Sequence, residues 1–479
     1  MKVNNNISAV ITNNQLLRTE DSLAKSMERL SSGLKINHSK DNPSGMAISN
    51  KMQAQINGLD QASRNSADGS SVLETADGAL NELENMLQRM RELCVQAAND
   101  TNSQSDKRAI QDEIDKLKEE VDRISSTTEF NTKSLLNGSL DKRVYADNVS
   151  RVQVSEKVES GAYSFTITQC AQPANIASNN VSLPVSPATL ENSGTVNING
   201  SAVELTAGMT DQEVYEALRG AAEIGEVKAS WSGPGGVVVY DTTAYGAEAT
   251  INITVSNNAL AEELGLNTVN GITQYGRDAQ VTMDKTNSAF KDHPYATVKY
   301  EGNKLTFTDA GGFKISCLLD AGVDKDNDPY HTGADDPDKG KVTLNVTDLG
   351  PMDLQIGANE HQQMTVKIPA TDTKSLYIDD LDVTTVNGAP RGISKMDEAI
   401  AQINQIRASL GAYTNRLESA VSSLDQTSEN MNAAISRISD VDMALEMTEY
   451  TRLNVLTQAS TSALSQANEL PQMALQLLG

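Results

Sequence analysis

Residues 73–97 read LETADGALNELENMLQRMRELCVQA, and their apolar positions recur at alternating spacings of three and four. Leu73, Ala76, Leu80, Leu83, Leu87, Met90, Cys94 and Ala97 share one stripe without a break, the mark of a helix packed along a narrow seam. A polar interruption at 98–106, ANDTNSQSD, reads as a turn, after which Ile110, Ile114, Leu117, Val121 and Ile124 resume the spacing. Two helices of one hairpin are implied.

Far along the chain the same frame returns in Met396, Ile400, Ile403, Arg407, Leu410, Thr414, Leu417, Val421, Leu424, Ser428, Met431, Ile435 and Ile438. At about 1.5 Å per residue that helix is on the order of 60 Å long. It does not bury its stripe alone, and the complementary stripes lie at the N-terminal end, so the two ends are expected to pack as an antiparallel coiled-coil stalk. The extreme termini carry a weaker version. Leu23, Met27, Leu30 and Leu34 mark one stripe; Leu453, Leu456, Ser460, Ala463, Ala467, Leu470, Ala474 and Leu477 mark the other. Small residues in the second make a marginal seam that needs partners to become stable, and Pro471 predicts a kink.

Between about residues 145 and 390 the period changes to two, and Gly, Thr, Val and Asn become prominent, which predicts strands and tight turns. In TVNINGSAVEL, Val196 and Ile198 alternate into Asn199-Gly200, a hairpin signal. Thr210 to Glu213 (TDQE) makes a capping box before a short helix, EVYEALRGAAEI. Further strands are expected in GGVVVY, TINITVS, ATVKYEG, KLTFTD and KVTLNVTD. The expected architecture is α+β and multi-domain, with a β-rich central insert at the tip of the helical stalk. Terminal helices occupy 1–45 and 450–479, the stalk with β-hairpins 46–169 and 350–449, and a variable β-rich surface domain 170–349.

Bulk composition narrows the function. At 479 residues two or more structural units are expected, yet aromatic residues make up only 4% and there is one Trp, which suits thin helical packing better than a thick core. A net charge of -25 excludes a nucleic-acid partner, because phosphate binding needs clustered Lys and Arg. Cys94, Cys170 and Cys317 are few, separated and odd in number, so at least one thiol is unpaired within the chain. The opening residues, MKVNNNISAVITNNQLLRTE, lack the apolar run of a secretory signal, and no stretch approaches the roughly 20 apolar residues that span a bilayer, so no membrane insertion is expected.

Several motifs have bland readings. Arg407 stands at a seam position where an apolar residue is expected, and either snorkels its charge towards a carboxylate or sets the helix register. In DAGVDKDNDPYHTGADDPDKG, Asp324, Asp326 and Asp328 have the first spacings of a calcium loop, but Pro329 replaces the required Gly and Asp335 the terminal Glu, which favours an exposed acidic loop. His38, His293, His331 and His361 are isolated, and there is no HExxH motif, phosphate loop or nucleophile elbow. No enzyme, cofactor or metal site is indicated.

Both ends resemble bacterial flagellin. The similarity runs through SMERLSSGLKINHSKDNPSGMAISNKMQAQINGL, ADGALNELENMLQRMRELCVQAANDTNSQSD, IQDEIDKLKEEVDRIS and FNTKSLLNG, and again through LQIGANE, IRASLGAYTNRLESA, SRISDVDMALE and QASTSALSQANELPQMALQLLG, in the family's order. The stretch from about Thr195 to Leu266 resembles a small insertion repeat of many flagellins. The resemblance implies a secreted subunit that polymerises into the flagellar filament for motility, with terminal helices that order on assembly. Its implied partners are further copies of itself as a helical homopolymer, a flagellar export chaperone and cap, and hook-associated proteins. Leu23, Leu30, Leu453, Leu456, Leu470 and Leu477 are the implied assembly positions. LQRMRELCVQ at 87–96 resembles the segment recognised by Toll-like receptor 5 of the host, so Arg89, Leu93 and Glu113, with Gln88 and Glu92, are the implied receptor contacts. The stalk-packing set is Leu80, Leu83, Leu87, Met90, Cys94, Ile110, Ile114, Leu117, Leu417, Val421, Leu424, Met431 and Ile435. Two alternatives remain open at this point: a hook–filament junction protein with related terminal helices, and a filament subunit whose insert is an adhesin.

Overall fold

The structure, a computed structural model, describes residues 6–99, 101–155, 157–177, 189–231, 237–266, 271–320 and 340–476, with side chains described as far as residue 469. Its helices are α1 (Ile7–Ser32), α2 (Pro43–Ala97), α3 (Gln104–Thr127), α4 (Asp211–Ile224), α5 (Asn258–Glu263), α6 (Gly388–Ser439) and α7 (Met443–Gln476). Local chemistry sets their starts. Asn42 accepts the Gly45 N–H at 2.9 Å while Pro43, which has no N–H to satisfy, takes the first position of α2. Ser103 and Asp106 form a reciprocal capping box at α3, and Asp442 caps α7 by accepting the N–H groups of Ala444 and Leu445 at 3.0 and 3.1 Å.

The chain divides into two compact units. The first contains Met1–Ser70, Leu354–Met364 and Asn415–Gly479. In it α1 lies antiparallel to α7. Asn6 donates to the Ala467 carbonyl at 2.8 Å near one end, and Lys35 N–H donates to Ser439 at 2.6 Å near the other. The α2 and α6 segments of this unit are also antiparallel, with Ser63 donating to Asp425 and Ser428 donating to Asp60 at 3.2 Å each. The 354–364 loop is seated on α2, where Asn65 reaches the Gln355 carbonyl at 3.3 Å. A Cβ at Gly69 would stand 2.6 Å from Leu354 Cδ1, so a larger residue there would make the Leu354 side chain shift.

The second unit contains Ser71–Asp353 and Thr365–Thr414. Its helical part joins the later half of α2, α3 and the first half of α6. Leu73, Leu80, Leu83, Leu87, Met90 and Cys94 of α2, Ile114 and Val121 of α3, and Met396, Ile403 and Leu410 of α6 are all buried. Arg91 pairs with Asp397 at 2.6 Å and Asp77 with Arg407 at 3.0 Å, so α2 and α6 run antiparallel here too.

The β-rich part of this unit holds two apolar cores. One packs Tyr163, Phe165, Phe290, Phe307 and Phe313 between two antiparallel four-stranded sheets. The first sheet orders its strands as Gln280–Met283, Gly161–Gln169, Lys341–Val346 and Val144–Tyr145; the second as Thr297–Glu301, Lys304–Thr308, Lys314–Leu319 and Val149–Val154. The other core, within residues 174–266, packs α4 and α5 against strands that include Gly194–Ile198 and Ser201–Leu205. Those two are joined by Asn199-Gly200, both at positive φ (50° and 92°), the backbone that a two-residue hairpin demands. The Thr210 N–H and hydroxyl both donate to Glu213 at 2.9 Å and start α4 as the sequence predicts. The acidic stretch 324–335, with His331, lies outside the described residues.

Candidate functional site

On α1 the less exposed positions recur as a heptad in which Ala9, Leu16, Leu23 and Leu30 alternate with Thr12, Thr19 and Ser26. The residues of this helix that are buried outright are both hydroxyl-bearing, Thr19 and Ser26. Five of its larger apolar side chains point away from the seam: Ile7 is 65% exposed, Val10 59%, Ile11 64%, Leu17 54% and Met27 52%. On α7 the inward set is Glu446, Tyr450, Leu453, Thr457, Ser460, Leu464 and Ala467, while Met443, Leu445, Met447, Val455 and Leu456 are exposed. A helix normally turns its apolar stripe to its partner; this pair turns much of it to solvent.

The terminal seam therefore differs from the sequence expectation. Leu23, Leu30 and Leu453 lie on the inward face, but Met27, Leu34 and Leu456 do not, and Ser26 and Thr457 take the seam places beside Met27 and Leu456. Counting apolar residues alone misses this, because a threonine hydroxyl can be buried by bonding to its own helix, as Thr19 does to Gln15 at 2.8 Å. The helix α7 continues through position 471. The side chains of Leu470 and Leu477 lie outside the described set.

The second surface is a charged face shared by α2 and α3. Arg89 Nε and Nη2 both donate to Glu113 Oε1, at 3.1 and 2.8 Å, and Nη1 reaches Glu92 at 3.2 Å. All three side chains are about half exposed or more, and Gln88 beside them is exposed and bonded to Glu84 at 3.2 Å. Glu113 and Glu92 together hold the Arg89 guanidinium firmly protonated. Leu93, expected as a receptor contact, is 1% exposed and belongs to the packed interior. The apolar side chain that does reach the surface nearby is Val95, 48% exposed.

Of the stalk-packing set, Leu80, Leu83, Leu87, Met90, Cys94, Ile110, Ile114 and Leu417 are buried. Leu117, Val421, Leu424, Met431 and Ile435 are half-buried. Leu424 and Met431 line an open cavity of about 450 Å³ in the first unit with Gln55, Leu59 and Ile356. Burial pushes the Cys94 thiol up to about 11 and the Cys317 thiol up to about 12. Arg407 resolves in favour of snorkelling: it bridges Asp77 at 3.0 Å and Glu84 at 2.5 Å on α2. Among the described residues no cluster of His, Cys, Asp and Glu could hold a metal ion, and no helix is long and apolar enough to cross a membrane.

Residues 3–141 match the bacterial flagellin N-terminal helical region and residues 393–478 the bacterial flagellin C-terminal helical region. A flagellin of Salmonella muenchen is 33% identical over 522 aligned positions, covering 99% of this chain and 99% of that one. Flagellin D of Vibrio anguillarum is 33% identical over 482 positions, covering 100% of both. Among solved structures, the flagellar junction protein FlgL from Legionella pneumophila covers 77% of this chain and 99% of its own at 12% identity, with a TM-score of 0.26.

Proposed function

Because the chain belongs to the bacterial flagellin family, structural subunits of the extracellular flagellar filament that serves motility, we propose that it polymerises through the outward apolar faces of α1 and α7. The observation that carries this reading is the exposure of Ile7, Val10, Ile11, Leu17 and Met27 on one helix and of Leu445, Met447, Val455 and Leu456 on the other. Apolar surface left in water on two paired helices gains free energy when further copies cover it. Neither helix carries a catalytic constellation, and the role is structural. A subunit with Val10→Ser, Leu17→Ser and Leu456→Ser should need a concentration on the order of a thousandfold higher to polymerise, since each exchange removes apolar burial of roughly 1.5 kcal/mol and every 1.4 kcal/mol is about tenfold. Polymerisation at the wild-type concentration, measured by sedimentation, would reject these faces. An export chaperone, a filament cap and hook-associated proteins are the further partners of the same helices under this reading.

The free subunit also presents Arg89, Glu92, Gln88 and Glu113 as a recognition face for host Toll-like receptor 5. Support comes from the exposed Arg89–Glu113 pair, which is already formed in the subunit, so less side-chain freedom is lost on docking. Arginine is also enriched among residues that dominate interface energy. Leu93 acts here from beneath, by packing, and Val95 supplies the exposed apolar contact. Arg89→Ala with Glu113→Ala should weaken binding to the purified receptor ectodomain by about 2 kcal/mol; an unchanged titration would remove the assignment.

A further inference from the structure

The inward face of the α1–α7 pair holds more polar chemistry than a helix seam needs. Thr12 and Thr19 donate to the Ser8 and Gln15 carbonyls at 2.9 and 2.8 Å, so their burial costs little but brings small apolar contact. Ser26 Oγ and Glu446 Oε1 are buried and have no hydrogen-bond partner among the described residues. Glu446 is only 8% exposed, and its other oxygen stands 3.8 Å from Arg29 Nη1 across the seam. An unpartnered buried hydroxyl and a half-partnered buried carboxylate both oppose the pairing they sit in. Leucine at positions 19 and 26 would complete an ordinary Leu-rich seam with Leu16, Leu23 and Leu30.

That polar layer selects one rotational setting of the helices. Successive residues stand about 100° apart around a helix of 3.6 residues per turn. Turning α1 by one position would move Val10 and Leu17 onto the seam in place of Ala9 and Leu16. Such a setting hides inside the subunit the apolar face that otherwise stands in solvent. In the observed setting Arg29 Nη1 stands 3.8 Å from Glu446, and a turn of about 100° would carry that side chain away from it.

We infer that Thr19, Ser26, Arg29 and Glu446 are positioning residues for polymerisation: they keep the intrachain α1–α7 pairing weak and rotated so that the apolar faces stay outward for a second copy of this chain. The inference rests on the reading that those outer faces are what neighbouring copies bury. The device works by withholding stability. A subunit with a stronger private seam is a poorer polymer former, because its terminal helices satisfy one another.

The test uses the full chain and seeded elongation followed by light scattering, with far-ultraviolet circular dichroism of the dilute subunit alongside. Thr19→Leu with Ser26→Leu should raise subunit helicity and slow elongation by about tenfold, while the conservative pair Thr19→Ser with Ser26→Thr stays within about twofold of wild type. Arg29→Glu and Glu446→Arg should each slow elongation, and the two together should restore it. Leucine variants that elongate at the wild-type rate, or conservative variants that lose as much as the leucine pair, overturn the inference. If the leucine pair misfolds, the charge exchange decides: an exchanged pair no faster than its single variants overturns it. Failure of the underlying reading looks different, since Val10→Ser with Leu17→Ser would then elongate normally whatever the seam variants do.

Discussion

At the scale of single residues, the seam of the second unit is held by side chains whose burial has measurable consequences. The Cys94 thiol ionises at about 11 in the folded chain against an ordinary 9.0, because its thiolate would sit unsolvated in the interior. Its stabilising contribution is complete below pH 9 and is lost as pH rises from 9 towards 11, where the unfolded chain gains by ionising and the folded chain does not. The melting temperature should therefore fall over that window, and less steeply in Cys94→Ala; an identical slope in the variant contradicts the assignment. Arg407 spans Asp77 and Glu84, and its removal leaves two carboxylates of α2 without their shared cation. Arg407→Met should lower stability in a denaturant titration by about 1 kcal/mol, with Arg407→Lys recovering part of the loss because an ammonium lacks the fork that reaches both. The seam from Leu73 to Ala97 was legible because leucine spacing reports burial directly. Leu93 was not, since one helix position cannot report that the surrounding chain covers it, and Ser26 and Glu446 were not, since their types point outward and only packing turns them in.

At the scale of elements, starts and turns were legible wherever a residue type has one conformational use. Ser103 and Asp106 fasten the start of α3, with Ser103 N–H donating to Asp106 at 2.9 Å. Ser103→Ala should cost about 1 kcal/mol, read as a shifted denaturation midpoint; no shift would mean that tertiary packing alone fixes that end. Asn199-Gly200 and the Thr210–Glu213 box were read correctly for the same reason: a positive φ and a reciprocal cap leave few residue choices. Strand pairing was less legible. Gly161–Gln169 lies between Gln280–Met283 and Lys341–Val346, partners more than a hundred residues away, and alternation along one strand carries no label for its neighbour. The aromatic core that joins these sheets draws on Phe290 and Phe313, which stand outside any periodic run.

At the scale of the whole molecule, the composition already limited the answer. A chain with 4% aromatic residues and a net charge of -25 has little apolar surface to spare for two helical ends as well as a central insert. The terminal pair is where that shortage shows, with hydroxyls and a carboxylate sharing the seam with leucines while isoleucine, methionine and further leucines stand outside. On the proposed reading such a pair gains its stability from further copies, which makes ordering and polymerisation one event. The measurement that tests this most directly is electron microscopy of the purified chain after salt-induced assembly, beside a variant ending at residue 454 that lacks Val455, Leu456 and everything after them. The full chain should form long filaments. The shortened one should stay soluble, with Cys94 still shielded from alkylation as proof that the second unit is folded. Filaments of normal length and yield from the shortened chain would contradict polymerisation through the terminal helices.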